Sequence, residues 1–480
     1  MSSEEKARGS LKFQLLSEAQ VSKIYDTSLE ILERVGIEVY EEKLLELLKD
    51  GGAKVKGKRA YIPPTLVEES LEIAPRKILI HSREGEIAIR LEGDNSYFGN
   101  GSDCPNVRDP YTGERRRATK KDIERLTVVC DALPNLDFVM PGAIPSDVPS
   151  SVSDLYQFQT TLFNTTKPIV FTSLSRAGTE SIIEMARIAV GGEKELQDKP
   201  FIIPYIEPSS PLRVSRDAAE KLLLCAEEQL PILFSPGPIS GASAPVTLAG
   251  TIALHIAENL IGVVLSQLVR EGTPVIIGGC ASEMDMKTTI SPYAGSTFNL
   301  VNAGISEMCN FLGLPMFGTA GCSDSKLPDE QAAMESALSC FTQPLSGANL
   351  IHDVGYIESG MTASFKMLVI NDEFIGCVKR ILQGINTDPD HLALEVIEKV
   401  GPGGNFLTQR HTLDYFKEEH WRPELSSREN FQGWQRRGEL SLGDSAKERV
   451  HAILEDHKPQ PVNSRKKEEI MKLIKIRDVQ

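Results

Sequence analysis

One short apolar run in this sequence ends in a group of side chains that could do chemistry. Ala348–Ile351 stops at His352 and Asp353, and Tyr356 and Glu358 follow shortly after. An imidazole or a carboxyl group can move protons, and an aromatic ring can face a cation. A hydrophobic strand that ends in such residues is typical of the carboxyl end of a strand in an α/β barrel, where active sites are built. A hydrogen-bonded core histidine is the plain alternative for His352.

Aromatic residues gather at corresponding points along the chain. They make up 6% of the sequence, yet six fall at or near the ends of predicted strands: Tyr97, Tyr205, Phe234, Tyr293, Phe317 and Tyr356. Aromatic faces attract quaternary ammonium groups by about 0.5–2 kcal/mol each, although two or three of these rings are expected in the core. Tyr205 and Glu207 share strand parity, so a ring and a carboxylate project together. This pattern predicts a site for a small cation.

The elements that must position these side chains repeat eight times over residues 96–385. The predicted strands are Tyr97–Asn100, Asp137–Met140, Pro168–Thr172, Phe201–Ile206, Pro231–Phe234, Pro274–Ile277, Pro315–Phe317 and Ala348–Ile351. The predicted helices are Lys120–Ala132, Val152–Asn164, Thr179–Val190, Arg216–Glu228, Leu248–Arg270, Thr297–Leu312, Glu330–Thr342 and Ala363–Gln383. Alternating strands and helices predict a parallel sheet, and eight units predict a (β/α)8 TIM barrel. An open doubly wound sheet is the alternative, but no GxGxxG motif follows the first strand.

Two extensions flank the predicted barrel. Residues 1–95 combine helical periodicity with short strand-like pieces, which predicts an α+β extension without chemistry of its own. Residues 386–480 contain no strand-like run and predict a helical extension that packs on the barrel or on a partner subunit. The chain is therefore expected to divide into residues 1–95, 96–385 and 386–480.

The composition indicates which partners and which cellular compartment to expect. The net charge of −15 argues against a nucleic-acid partner, which would call for a basic surface. Eight scattered cysteines and the polar opening MSSEEKARGS predict free thiols in the cytoplasm. The longest apolar tract, Leu254–Val269, is interrupted by polar residues and predicts a buried helix instead of a membrane span.

The usual catalytic and metal motifs are missing. The sequence has no HxH, HExxH, P-loop or Cys/His pair at metal spacing, so we expect no metal site and can assign no catalytic residue. Two alternatives stay open. Cys280 and Cys322 fall near strand ends and could bind a metal, and Gly318–Gly321 could form a phosphate loop after the seventh strand, as in a lyase or isomerase.

Three segments resemble a known family. DSKLPDEQAAMES (324–336), SGANLIHDVGYIESGMTAS (346–364) and the tail pattern of Gly401–Leu407 with His411, Thr412, Phe416 and Trp421 resemble the trimethylamine:corrinoid methyltransferase family. The resemblance extends over nearly the whole chain. It implies a (β/α)8 barrel that passes a methyl group from an amine to the cobalt of a separate corrinoid protein, with no tightly bound cofactor of its own.

The resemblance also bears on the substrate. The founding trimethylamine enzyme carries pyrrolysine after the seventh strand, whereas Gly321–Glu335 here consists of standard residues. The chain therefore resembles the pyrrolysine-free branch, which implies a quaternary amine, first of all glycine betaine, with dimethylglycine as product. Proline betaine, carnitine and other methylated amines are alternatives, as is a betaine-binding protein without catalysis.

The expected substrate site combines rings, a carboxylate and a hydrogen-bond donor. Its candidate residues are Tyr97, Asn100, Tyr205, Glu207, His352 and Tyr356. We expect the rings and Glu207 to hold the ammonium head and His352 to donate to the substrate carboxylate. The expected partners are the cognate corrinoid protein and the amine substrate, with neither nucleic acid nor membrane, and the chain is expected to form a homo-oligomer.

Overall fold

The computed structural model describes residues 11–479, so the opening stretch on which the cytoplasmic expectation partly rests lies outside the described residues. The strands are β1 (Ile37–Val39), β2 (Lys54–Lys56), β3 (Arg59–Tyr61), β4 (Ile78–His81), β5 (Ile87–Leu91), β6 (Tyr97–Asn100), β7 (Asn106–Arg108), β8 (Arg115–Arg117), β9 (Ile169–Phe171), β10 (Ile202–Ile206), β11 (Arg213–Val214), β12 (Ile232–Phe234), β13 (Ile239–Ser240), β14 (Val275–Gly278), β15 (Ser282–Glu283), β16 (Met316–Thr319), β17 (Leu350–Val354), β18 (Tyr356–Ile357) and β19 (Thr362–Ser364).

The helices carry most of the remaining regular structure. They are α1 (Glu18–Glu30), α2 (Glu42–Asp50), α3 (Pro64–Ile73), α4 (Lys120–Ala132), α5 (Ser153–Phe163), α6 (Arg176–Val190), α7 (Glu193–Asp198), α8 (Arg216–Glu227), α9 (Leu248–Val269), α10 (Ser296–Leu312), α11 (Glu330–Leu345), α12 (Phe365–Leu382), α13 (Pro389–Leu392), α14 (Leu394–Val400), α15 (Arg410–Glu419), α16 (Phe431–Arg436), α17 (Leu442–Asp456) and α18 (Ser464–Val479), with a π-turn at Ile31–Val35 and a 3₁₀ turn at Ser150–Val152.

Seven parallel strands form the central sheet, in the order β6-β17-β16-β14-β12-β10-β9. This confirms the predicted α/β architecture with a parallel sheet. The predicted strand Asp137–Met140 is present only as two single bridges. Phe138 bridges to Gly99 of β6, and Val139 bridges to Ile169 of β9, so this segment links the two outer strands of the sheet.

A hairpin of β4 and β5 covers the amino-terminal end of the sheet. Its alternate side chains, including Ile80 and Ile89, are buried in one apolar cluster with side chains from the strands, such as Ile203 and Leu350. The backbone N–H of Arg90 in the same hairpin donates to the Tyr97 hydroxyl, 3.2 Å away. Because this end of the sheet is covered, the carboxyl ends of the strands are the side left open to a ligand.

Helix α9 is the predicted buried helix. It is long and apolar enough to cross a membrane by length and composition, but 83% of its most apolar window is buried inside the protein. It packs against α1 and α3 on one side and β14 on the other. Burial of this kind explains its apolar composition as that of a core helix.

Alternation along β4 gives a matched pair of stability variants. Ile80 is fully buried, whereas its neighbour Leu79 is 41% exposed. Ile80→Ala should lower the free energy of unfolding by about 2–5 kcal/mol, because a buried aliphatic side chain leaves a cavity. Leu79→Ala should change it by less than about 1 kcal/mol. Urea unfolding monitored by circular dichroism checks both values, and equal losses would contradict the placement of the hairpin.

Candidate functional site

A cavity of about 340 Å³ opens at the carboxyl ends of the strands. Four of the predicted site residues line it: Tyr205, Glu207, His352 and Tyr356. The rest of its wall comes from Ser102, Asp103, Met140, Thr172, Ser235, Pro236, Gly237, Ile239, Cys280, Ser282, Ser291, Tyr293, Asp353, Ser359 and Gly360. Its position agrees with the place where parallel α/β enzymes build their sites.

Negative charge dominates this cavity. Asp103, Glu207 and Asp353 contribute carboxyl groups, and the described residues of the lining include neither lysine nor arginine. Burial and, to a smaller extent, the nearby charge of Asp103 together raise the pKa of Asp353 to about 7. Glu207 is open to the cavity but enclosed by its walls, so burial and then Asp103 raise its pKa, while Lys221 behind the wall opposes this. A bound cation would reduce the electrostatic repulsion between these carboxyl groups.

Asp353 is held in an unusual backbone conformation. Its φ is +74°, in the left-handed region that non-glycine residues rarely adopt. The pairing of β17 with β6 shifts register between Ile351 and Val354, so His352 and Asp353 lie in an irregularity of the strand. Bulges of this kind redirect side chains and are common beside active sites. The strain is therefore located at the bottom of the cavity.

The end of β6 must pass close to this irregular segment. A Cβ atom on Gly101 would lie 2.3 Å from Asp353 Oδ1 and 2.5 Å from the ring of Tyr356. The Tyr356 hydroxyl donates to the backbone carbonyl of Ser102. Gly101 is thus required by close approach, and Tyr356 is fixed by its hydroxyl while its ring borders the cavity.

His352 supplies a neutral imidazole. Burial lowers its pKa to about 3, so the ring carries no charge near neutral pH. Its Nδ1 atom lies 3.2 Å from Asp353 Oδ1 but makes no hydrogen bond with it. The ring packs edge-on against Phe317 at 4.0 Å between centroids, and Phe317 packs in turn against Tyr205 at 5.9 Å. A buried imidazole nitrogen without a partner suits a polar ligand group.

Five of the six predicted rings fall into two groups. Tyr205, Tyr293 and Tyr356 line the cavity. Phe234 and Phe317 are fully buried in the core.

The remaining two candidates lie elsewhere. Tyr97 lies at the amino-terminal end of β6, under the hairpin, and does not line the cavity. Asn100 does not line it either, because its side-chain amide exchanges hydrogen bonds with the backbone of Met140 at 2.7 and 2.9 Å. Tyr97 is the first residue of the predicted strand Tyr97–Asn100, so its position at the end away from the cavity already followed from the predicted bounds.

The candidate substrate-site residues left out two of the three carboxyl groups, although Asp353 was noted beside His352 at the end of its strand. Asp103 follows β6 by three residues, and Asp353 stands directly beside His352. The signal was available, since both lie within three residues of the end of a predicted apolar strand. What the sequence did not show is that the charge of Asp103 acts on both Glu207 and Asp353, because that depends on how the loop after β6 turns inward.

The structure also shows the surroundings of the two alternative sites, the thiol metal site and the phosphate loop. Burial raises the pKa of Cys280 to about 12, and the Cys322 thiol donates to the backbone carbonyl of Tyr293 at 2.9 Å. Within residues 11–479 no group of three His, Cys, Asp or Glu side chains is placed to hold a metal ion. The backbone N–H groups of Ala320 and Gly321 already donate to protein acceptors, so they do not offer a phosphate cradle. The expectation of no metal stays a prediction.

The raised pKa of Asp353 predicts a pH-dependent cation site. Asp353 is neutral below its pKa of about 7 and negative above it. Affinity for tetramethylammonium should therefore rise between pH 6 and pH 8, by up to roughly 10-fold if only the ionised form binds. Titration calorimetry measures this, and Asp353→Asn should flatten the profile. A wild-type affinity that stays constant over this range would contradict the assignment.

Comparison with known proteins places the chain in a family. The family model "Trimethylamine methyltransferase (MTTB)" matches residues 2–480. Two relatives from Desulfitobacterium hafniense are each 32% identical: trimethylamine methyltransferase MttB, over 93% of this chain and 90% of that protein, and glycine betaine methyltransferase, over 93% and 94%. The crystal structure of Methanosarcina barkeri monomethylamine methyltransferase (MtmB) is similar in fold, with a TM-score of 0.51 at 12% identity over 94% of this chain and 96% of that one. The chain belongs to the trimethylamine methyltransferase family.

Proposed function

We propose that this protein takes a methyl group from a quaternary amine, first of all glycine betaine, and passes it to a corrinoid held by a separate protein, leaving dimethylglycine. The observation that carries the proposal is the cavity, which surrounds its space with tyrosine rings and three carboxyl groups and has no lysine or arginine among its described lining residues. Family membership supports methyl transfer. The similarity to a glycine betaine methyltransferase supports the substrate.

The proposed reaction requires no general acid or general base from the protein. A quaternary ammonium already bears its positive charge, so the C–N electron pair stays on nitrogen and a neutral tertiary amine leaves without needing a proton. The corrinoid of the partner supplies the nucleophile as Co(I). The residues of this chain bind the ammonium group, orient the methyl group towards the cavity mouth and exclude water. Tyr205 and Tyr293 supply ring faces, and Glu207 and Asp103 supply negative potential.

His352 is the proposed donor to a substrate carboxylate. It is neutral, its Nδ1 lacks a hydrogen bond, and it pairs with Thr319 of β16 at the carboxyl end of the sheet. Asp353 stands beside it, so a substrate carboxylate is tolerated best while Asp353 is protonated. A betaine should therefore lack the gain in affinity at high pH that we predict for tetramethylammonium.

Exposed apolar residues at the cavity mouth support a protein partner. Val246 and Met286 are 68% and 66% exposed. Val246 follows β13 and Met286 follows β15, and these two strands pair with each other. The two side chains lie close together, since a Cβ atom on Gly241 would contact both of them. An apolar lip beside a polar cavity suits a surface that another protein covers during transfer. The proposed partner that covers this apolar surface of Val246 and Met286 is the cognate corrinoid protein.

Several finer features belong to the same proposal. We propose that the segment around Phe138 and Val139 completes a closed (β/α)8 barrel over residues 96–385, with residues 1–95 and 386–480 as an α+β and a helical extension. We also propose a cytoplasmic homo-oligomer of the pyrrolysine-free branch. Proline betaine, carnitine and other methylated amines remain alternative substrates, and binding of a betaine without turnover remains the alternative function.

A turnover assay tests the reaction. The protein is mixed with glycine betaine, a corrinoid protein and a reductant that maintains Co(I), and dimethylglycine is measured by mass spectrometry. We expect dimethylglycine only when all components are present, because the amine has no other methyl acceptor. Parallel reactions with proline betaine and carnitine rank the substrates. Tight betaine binding without product from any acceptor would favour the non-catalytic alternative.

A single variant tests the role of His352. A hydrogen bond to a charged group is worth about 1.5–3 kcal/mol, so His352→Ala should weaken glycine betaine binding by roughly 10- to 150-fold. Tetramethylammonium has no carboxylate, and its weaker binding should hardly change. Calorimetry with both ligands separates the two effects. Equal losses for the two ligands would make His352 a structural residue.

A further inference from the structure

One tyrosine of the cavity wall is carried by a loop. Of the three tyrosines that line the cavity within residues 11–479, Tyr205 lies on β10 and Tyr356 on β18, whereas Tyr293 lies in the segment that joins β15 to α10. Residues 285–290 of that segment are all exposed. A side chain on a loop is placed less precisely than one on a strand, so Tyr293 needs other residues to hold it at the cavity.

The segment after β16 holds the Tyr293 backbone from both sides. The backbone N–H of Tyr293 donates to Asp324 Oδ1 at 2.8 Å, and the Cys322 thiol donates to the Tyr293 carbonyl oxygen at 2.9 Å. The ring itself stacks on Phe298 at 5.4 Å between centroids, and the hydroxyl lies 3.5 Å from Cys280 Sγ. A carboxylate is the strongest acceptor among these groups, so the bond to Asp324 is the firmest hold on the loop.

The same oxygen of Asp324 holds a second part of the cavity wall. Ser359 Oγ donates to Asp324 Oδ1 at 2.7 Å. Ser359 lies between β18 and β19 with a left-handed φ of +53°, a conformation that a serine keeps only where its surroundings fix it. Tyr293 and Ser359 both line the cavity, whereas Asp324 is absent from the described lining. One carboxylate oxygen therefore joins two loops of the mouth from behind the wall.

Asp324 is in turn fixed to helix α11. Its backbone N–H donates to Glu335 Oε2 at 2.9 Å, and the Ser323 hydroxyl donates to the same oxygen at 2.6 Å. The other oxygen of Glu335 accepts from Gln331 Nε2 at 2.9 Å within the helix. A regular helix thus sets the place of Asp324, and Asp324 sets the place of the loop that carries Tyr293.

We propose that Asp324 is a positioning residue that holds the Tyr293 ring against the ammonium group of the substrate. It touches no substrate and acts only through the loops that it joins. Without its carboxylate the Tyr293 N–H would turn to water and the ring could leave the cavity, so the cation would lose one aromatic face. This inference rests on the proposed function, because the ring affects affinity only if a cation binds in the cavity.

Titration calorimetry with tetramethylammonium on the full chain tests this role. Tyr293→Leu should weaken binding by roughly 2- to 30-fold, the range for one aromatic face. Asp324→Ala should weaken it by at least about 2-fold and by no more than Tyr293→Leu does. Asp324→Asn keeps an oxygen that can accept from both Tyr293 and Ser359, so it should restore most of the affinity that Asp324→Ala loses.

Asp329→Ala is the matched control in the same segment. Asp329 also accepts from a backbone N–H and a serine hydroxyl, at 3.1 Å from Ala332 and 2.8 Å from Ser325. Neither donor is among the described lining residues of the cavity. This variant should therefore lose a comparable pair of hydrogen bonds and leave the affinity for tetramethylammonium within about 2-fold of the wild type.

A double-mutant cycle separates ring positioning from general damage. Adding Asp324→Ala to Tyr293→Leu should cause no further loss of affinity, because the ring that Asp324 positions is already gone. Losses that multiply would overturn the inference, as would a wild-type affinity in an Asp324→Ala protein that is folded by circular dichroism. If Asp324→Ala does not fold, Glu335→Ala takes its place in the cycle, since it removes the support of Asp324 and leaves the carboxylate; the same two outcomes then decide.

Failure of the proposed function would be visible separately. A wild type that does not bind tetramethylammonium contradicts the cation site, and hydrogen exchange without any ligand then decides on Asp324. The Tyr293 amide, which donates to Asp324, should exchange at least about tenfold faster in Asp324→Ala than in the wild type or in Asp329→Ala. An unchanged rate at this amide would overturn the inference.

Discussion

The packing of one hairpin against the inward side chains of the sheet underlies the rest of this structure. Ile80 and Ile89 of the hairpin share an apolar cluster with Ile203, Phe317 and Leu350, so one end of the sheet is filled and dry. With that end covered, the strands can present polar groups only at their other end. Phe317 connects the two regions, because the same ring that belongs to the apolar cluster also supports His352 and Tyr205 below the cavity.

The carboxyl groups in the cavity lower the stability of the folded protein as pH rises. The folded-state pKa of Asp353, about 7, lies above its ordinary value of 3.8. The folded protein therefore binds this proton more strongly than the unfolded chain, and the group contributes less stability as pH rises from about 4 to 7. The left-handed φ of Asp353 adds strain at the same point. A bound ammonium group would offset the repulsion, which is why such an arrangement is found where a cation is meant to bind.

The sequence by itself determined the parallel α/β architecture, the buried nature of α9, the family, and four residues that line the cavity. These features depend on local periodicity and on the order of elements along the chain, which are written directly in the residues. Only the tertiary structure decided that Tyr97 and Asn100 stay out of the cavity, that Asp103 and Asp353 join Glu207 there, and that Asp137–Met140 forms single bridges. The physical reason is that side-chain direction at a strand end and the course of a loop depend on contacts between distant segments. The approach of Gly101 to Asp353 and Tyr356 is one such contact, and no pattern within either segment reveals it.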